Sequence, residues 1–194
     1  MITPRIRHFE EADIPARSAL LREQRFQANL TDFAVVSSDE ALVENQRRTI
    51  EHEHGVKRMF AMCHPDGRTL GFAWITSIDW RARTCELSFG VLPRFRGGYG
   101  AAAVGAMHRY IREELNMRAV INQVLVHNTM LVSAEDLTAQ SQVRCAYDSF
   151  TAGEWRDSCY WAQDAEEYER SMAEHEERRR AIAARIRTAS GGAA

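Results

Sequence analysis

The chain has 194 residues, enough for one domain with a substantial core, and a formal net charge of −2. Arginines and acidic residues are interspersed along it, which argues against a generic nucleic-acid or membrane surface and confines any anion site to a local feature. No apolar run approaches the ~20 residues of a membrane helix, the stretch from Met1 to Arg7 lacks the apolar core of a signal peptide, and Cys63, Cys85, Cys145 and Cys159 form no C-x-x-C pair; a cytoplasmic protein with reduced thiols and no metal site is expected.

In chain order, "RIRHF" alternates like a short strand, and "EEADIPARSALLREQRF" carries Ile14, Ala19, Leu20 and Leu21 at helical spacing. "SSDEALVENQRRTIEHE" reads as a second helix whose capping box pairs Ser37 with Glu40. Two apolar strands then flank "HPDG", in which Pro65 and Gly67 supply turn geometry, and a third strand is expected in "TCELSFGVL". A glycine-rich turn, a helix from about Gly98 to Leu115 and the β-branched run "AVINQVLV" complete a strand–helix–strand unit. Its two strands are expected to be parallel, with ligand bound beyond their carboxyl ends.

A short helix is expected in "TMLVSAEDLTA", followed by a closing hairpin of "QVRCAYDSF" and "WRDSCYWAQ" joined by "TAGE". From Asp164 the chain becomes a charged helix with Glu166 and Arg170, Glu174 and Arg178, and Glu176 and Arg180 at i,i+4. Tyr168, Met172, Ile182 and Ile186 give it a thin apolar stripe, so it is expected to project or to dock on a second copy as a homodimer. The expected division is a domain over 1–164, a charged helix over 165–187 and a disordered tail over 188–194.

The informative stretch is "RFRGGYG". A helix N-terminus exposes unpaired N–H groups and the positive end of the helix dipole, and glycines there let a phosphate approach the backbone. Arg94 and Arg96 add planar guanidinium forks suited to phosphate oxygens. The turn therefore reads as a pyrophosphate cradle, although a tight turn with close helix packing is the alternative. No Lys and Ser or Thr follow the last glycine as in a Walker A loop, and the position late in the chain does not suit a Rossmann turn.

The segment from Leu70 to Asn128 resembles the core of a GNAT-type N-acetyltransferase, and the likeness extends more weakly from Ile6 to about Tyr168. More narrowly, "RTCELSFGVLPRFRGGYG" and "GEWRDSCYWAQDAEEYE" are similar to the ribosomal-protein alanine acetyltransferase branch. The resemblance implies a single α/β (α+β) domain with a mixed, mostly antiparallel sheet. Acetyl-CoA, or another acyl-CoA, would lie between splayed central parallel strands. By resemblance, Phe89, Gly90 and Val91 form the strand edge that pairs with the pantetheine amides. Arg94, Arg96, Gly97, Gly98, Tyr99, Gly100 and Ala101 form the pyrophosphate turn, Asn128 lies near the pantetheine arm, and Glu86 matches a reaction-centre carboxylate. Glu86 shares a strand face with Ser88 at period two, so both are candidates for the catalytic centre, with a solvated pairing to Arg83 as the bland reading of Glu86.

Two departures from the family pattern stand out. "RGGYGA" is one residue short between its first two glycines, which removes one N–H from the cradle. In addition, the family's N-x-x-S-x-x-x-Y-E-x-x-G run reads Asn128, Leu131, Glu135 and Ala139 here, so the usual tyrosine that protonates the leaving thiolate is absent. Glu135 replaces it only if burial keeps it protonated; Ser133, Tyr147 and Cys145 are other candidates. His52, His54 and His64 suggest no metal, and His127 either faces the cleft or packs.

The implied activity is acyl transfer from acyl-CoA to an amine of a small molecule or polypeptide N-terminus. Two rivals stand beside it. One is a transferase drawing on a carrier-bound acyl group or a charged tRNA, which would be gripped by Arg94, Arg96, Arg109 and Arg112. The other is a non-catalytic CoA-binding or scaffold protein.

Overall fold

The computed structural model describes residues 4–29, 38–52, 57–96, 98–128, 133–164, 166–170, 173–174, 177 and 180–181. The chain opens with β1 (Arg5–His8) and a 3-10 turn (Glu11–Asp13), then α1 (Ile14–Arg22) and α2 (Gln24–Gln27). Pro15 sits in the first turn of α1, where its missing N–H costs nothing, and Glu23 leaves the helix with φ −66° and ψ 122°, which breaks α1 from α2. Arg7 of β1 grips Asp13 through two guanidinium hydrogen bonds of 2.6 and 2.8 Å, which fixes how the chain turns from strand to helix.

The second long helix, α3 (Asp39–Glu51), is capped by Ser38, whose side chain accepts from the Ala41 N–H at 3.2 Å. The cap is one residue later than the expected pairing of Ser37 with Glu40. With two serines in a row, the hydroxyl that reaches the third helical N–H wins. Ser37 itself lies outside the described residues.

The strands β2 (Arg58–Cys63), β3 (Thr69–Asp79) and β4 (Thr84–Val91) follow as an antiparallel meander. A 3-10 turn (Pro93–Phe95) then leads into α4 (Gly98–Glu113) and β5 (Ala119–Leu125), and α5 (Ala134–Gln140) precedes the hairpin of β6 (Val143–Thr151) and β7 (Glu154–Asp164). Ala152 and Gly153 turn that hairpin with φ values of 52° and 85°, the left-handed pair a tight two-residue hairpin turn demands. The seven strands form one sheet in the order β1-β2-β3-β4-β5-β7-β6, in which β4 and β5 are parallel.

Alternation along the strands splits the core between the two faces of the sheet. Phe60, Met62, Ile75 and Cys85 pack with Met107, Ile111 and Val120 on the α4 side, while Met59, Phe72 and Trp74 pack with Ile14, Leu20, Leu21 and Leu42 on the α1 and α3 side. Each fully buried side chain of this size contributes about 1.5–3 kcal/mol relative to exposure, so both layers hold the sheet flat against its helices.

By compactness the chain divides into Met1–Ala162 and Gln163–Ala194. In the second unit, residues 166–170 are helical, opened by reciprocal bonds between Asp164 and Glu167 of 2.9 and 3.1 Å. Tyr168 and the pair Glu166 and Arg170 belong to that helix. Arg178, Glu176, Met172, Ile182, Ile186 and the tail over 188–194 lie outside the described residues. Among the described residues no helix is long and apolar enough to cross a membrane.

Candidate active site

Parallel pairing between β4 and β5 covers only three register pairs, Thr84 with Ala119, Cys85 with Val120 and Glu86 with Ile121. On its other edge β4 stays paired with β3 as far as Val91. Among the described residues, Leu87 to Val91 therefore face β5 across a widening gap with one row of backbone groups unmatched. Buried backbone polar groups need partners, so this edge is suited to an extended ligand that carries amides. Phe89 and Val91 turn their side chains into the α4 core, which leaves the main chain to line the gap.

Gly90 faces the other way. A Cβ there would stand 2.7 Å from the Phe26 ring and 2.8 Å from Leu20, so the helices of the amino-terminal layer lie directly on this part of β4. Gly100, in the first turn of α4, would bring a Cβ to 3.3 Å from Val91, which is how close the start of the helix approaches the end of the strand. Gly98 opens α4, Ala101 follows in the same turn, and Gly97 lies outside the described residues. A helix of 16 residues thus begins at the carboxyl end of β4, with its free N–H groups and positive dipole end at the mouth of the gap.

The two arginines of the turn behave differently. Arg94 is exposed, with its guanidinium 4.7 Å from the Phe95 ring centroid. Arg96 is forked onto Glu23 by both terminal nitrogens, with its Nε donating to the Val91 carbonyl at 3.3 Å. Glu23 is held below the usual carboxylate range by that guanidinium. In this arrangement Arg96 ties the α1–α2 break to the turn rather than pointing at the start of α4. Tyr99 is 40 % exposed and makes edge-on contacts with Phe95 and His64.

Glu86 stands at the vertex of the splay and accepts a hydrogen bond from Thr76 Oγ1 at 3.2 Å. Arg83, the alternative partner, instead donates to the Asn116 carbonyl at 2.7 Å and to its side chain. By strand alternation Glu86 and Ser88 share the face that Gly90 turns to Leu20 and Phe26. On β5, Ile121 and Gln123 lie on that face as well, and Gln123 Nε2 donates to Tyr160 Oη at 2.6 Å and to Asp148 Oδ2 at 3.0 Å. Tyr160 donates in turn to Asp148 Oδ2 at 2.5 Å. Burial first, then Asp148, Cys145 and Glu86, push the Tyr160 phenol above its ordinary range, so it carries its proton at neutral pH.

Sequence reasoning missed Gln123, Asp148 and Tyr160. The signal available was the alternation of β5 and β7, which puts Gln123 on the Glu86 face and spaces Tyr160 two residues from the buried Ser158. Of the remaining candidates, Cys145 is near enough to bear on Tyr160. Glu135 is exposed in the first turn of α5, and Ser133 is that helix's N-cap, accepting from the Asp136 N–H at 3.1 Å. Asn128 closes a turn through its N–H to the Leu125 carbonyl at 2.8 Å. His127 Nε2 lies 2.7 Å from the Ala28 carbonyl. Tyr147 is 75 % exposed at a bulge of β6 with φ 52°, and Cys145 is half-buried on the same strand. Among the described residues no three metal-ligating side chains come together.

The chain matches the family model for the acetyltransferase (GNAT) domain over residues 5–134. No curated protein sequence matches it significantly. Among solved structures it is similar to the spermidine N-acetyltransferase of Vibrio cholerae in complex with CoA and spermine, with a TM-score of 0.74 at 17 % identity, covering 86 % of this chain and 98 % of that one. It is also similar to the spermidine/spermine N-acetyltransferase of that organism in complex with manganese ions, with a TM-score of 0.67 at 17 % identity and coverage of 87 % and 96 %. A protein described as a probable acetyltransferase gives a TM-score of 0.66 at 20 % identity, with coverage of 85 % and 94 %. The structural likeness establishes the fold, and the family model spans more than half of the chain. The chain belongs to the GNAT acetyltransferases, enzymes that move an acyl group from acyl-CoA to an amine.

Proposed function

We propose that the acceptor is a small, positively charged aliphatic amine of the polyamine type and that acetyl-CoA is the donor. The observation that carries this reading is the vertex itself: parallel pairing stops at Glu86, and on that face Gln123 holds Tyr160 and Asp148 by hydrogen bonds. A face supplied with two carboxylates and a phenol favours a cation over a neutral group. The polyamine acetyltransferases of Vibrio cholerae, whose fold this chain shares, support the choice of acceptor class.

In this reading the pantetheine arm runs along the free edge of Phe89, Gly90 and Val91 and pairs with their backbone groups. The pyrophosphate meets the first N–H groups of α4 at Gly98, Gly100 and Ala101, with Arg94 alongside. Glu86 takes a proton from the acceptor nitrogen, directly or through a water, and a β4 backbone N–H meets the oxyanion that develops on the thioester. Ser88, next on the Glu86 face, lines the same vertex.

The test is steady-state release of free CoA from acetyl-CoA across a panel of polyamines, monoamines and peptides with a free alanine N-terminus. Turnover of polyamines well above that of the peptides is expected. A second reading, a polypeptide N-terminus as acceptor, draws on the likeness of "RTCELSFGVLPRFRGGYG" to the ribosomal-protein alanine branch. Preference for the alanine peptide would select it, and no turnover of any amine would defeat both.

A further inference from the structure

The family's usual proton-handling tyrosine is replaced at its expected position by the exposed Glu135. A different tyrosine reaches the Glu86 face from another element. If the parallel register continued past Glu86 and Ile121, Ser88 would stand opposite Gln123, so these two flank the opening of the gap. Tyr160 of β7 is anchored to Gln123 at 2.6 Å on the β5 wall of that opening. Among the described residues, Gln123 from β5 and Asp148 from β6 bond to the Tyr160 hydroxyl, and the charges of Cys145 from β6 and Glu86 from β4 bear on it from farther off.

The hydroxyl's bonding is directional. Its own hydrogen goes to Asp148 Oδ2, and one lone pair receives the Gln123 N–H, which leaves the second lone pair to accept a hydrogen from a ligand. Asp148 is exposed, so a proton delivered to it can leave to water. The raised affinity of the phenol for its proton keeps the oxygen neutral between turnovers.

We propose that Tyr160 is a catalytic residue that relays a proton from the acceptor ammonium to Asp148, working beside Glu86, with Gln123 as the positioning residue that fixes the phenol at the mouth of the gap. An ammonium N–H bond breaks as an O–H bond forms on Tyr160, and the hydrogen Tyr160 already carried passes to Asp148 Oδ2. The freed lone pair forms the C–N bond at the thioester carbonyl. As that bond forms the carbonyl π pair moves onto oxygen; when it returns, the C–S bond breaks with its electron pair on sulfur, while Glu86 takes the second proton from the nitrogen of the tetrahedral intermediate and passes it to the thiolate. Asp148 then releases its proton to solvent. The role rests on the amine-acceptor reading above.

Tyr160→Phe keeps the ring and removes the hydroxyl; Asp148→Asn changes an exposed side chain and serves as a second probe if the first variant folds poorly. Both are assayed with acetyl-CoA and the best amine from neutral pH upward, with melting temperatures compared. In each variant kcat at neutral pH is expected to fall roughly 10- to 100-fold, with KM for acetyl-CoA unchanged. The deficit shrinks as pH approaches the ~10 at which an aliphatic amine loses its proton unaided. Undiminished kcat at neutral pH, or a deficit of the same size at every pH, overturns the relay while leaving the amine reading intact. A wild-type protein that turns over no amine overturns both.

Discussion

In the proposed site, the donor side, from β4 through the turn into α4, presents backbone groups: an unmatched strand edge and the free N–H groups of a helix start. The acceptor side, from β4 across β5 to the β6–β7 hairpin, presents side chains, with Glu86, Gln123, Asp148 and Tyr160 drawn from four strands. A backbone wall is insensitive to most side-chain replacements but intolerant of lost space. A side-chain wall is the reverse, since each group can be deleted without moving the strands. The two halves of the reaction should therefore fail separately when altered.

Glu86→Gln gives the largest expected effect. It keeps the shape and the contact with Thr76 but removes the base, and kcat should fall roughly 100- to 10,000-fold. Acetyl-CoA affinity by titration calorimetry should stay within a factor of two or so, because the carboxylate faces away from the α4 core. Loss of CoA binding in this variant would break the separation of the two walls.

Gly90→Val tests the opposite wall. The new side chain starts 2.7 Å from the Phe26 ring, and overpacking of this kind costs about 1–3 kcal/mol. Acetyl-CoA affinity should drop along with the melting temperature, since the strand edge that lines the gap must shift. A variant that melts early yet binds donor normally would mean that Phe26 and Leu20 move instead.

Buried His108 in α4 ties folding stability to pH. It is 7 % exposed within α4, and burial first, then Arg112, hold its pKa down to about 4. In the unfolded chain it would take up a proton near the ordinary value of about 6.5, so the unfolded state binds more protons between these limits. Stability from this group is full above about pH 6.5 and is lost as pH falls toward 4, by on the order of 3 kcal/mol. Urea melts across that range should show the slope, and His108→Gln should flatten it. An unchanged slope would assign the acid sensitivity to other groups.

The same division separates what was legible in the sequence from what was not. Strand alternation, the "HPDG" turn and the glycines at the start of α4 are local signals, and they led to the sheet, the crossover and the turn into α4. The acceptor wall has no local signal because spatial order departs from chain order: β7 inserts between β5 and β6, which brings Tyr160 to Gln123 across 37 positions. The fate of Arg96 was hidden for a related reason, since Glu23 lies 73 positions away and neither residue's neighbours announce the other. Ser38 displaced Ser37 as the cap of α3 because two adjacent hydroxyls look alike until the backbone dihedrals are known.

The ion pair of Glu23 and Arg96 crosses between the two walls and gives the finest test of their independence. The Arg96 and Glu23 side chains are 21 % and 27 % exposed, so screening by solvent is partial, and a bidentate pair in that setting contributes about 1 kcal/mol. If it is a clamp from the α1–α2 break to the turn, Arg96→Ala and Glu23→Ala should each lower stability. The double variant should lose less than their sum, with coupling of about 1 kcal/mol in a double-mutant cycle. KM for acetyl-CoA should then change little in Glu23→Gln, because the start of α4 still supplies the phosphate donors. If Arg96 instead divides its time between Glu23 and the pyrophosphate, Glu23→Gln lowers KM for acetyl-CoA and Arg96→Ala raises it, with little coupling in stability. Opposite kinetic signs from the two partners of one ion pair would mean that donor binding draws Arg96 off Glu23 and loosens the helix break beside Phe26, so the acceptor face would respond to the donor.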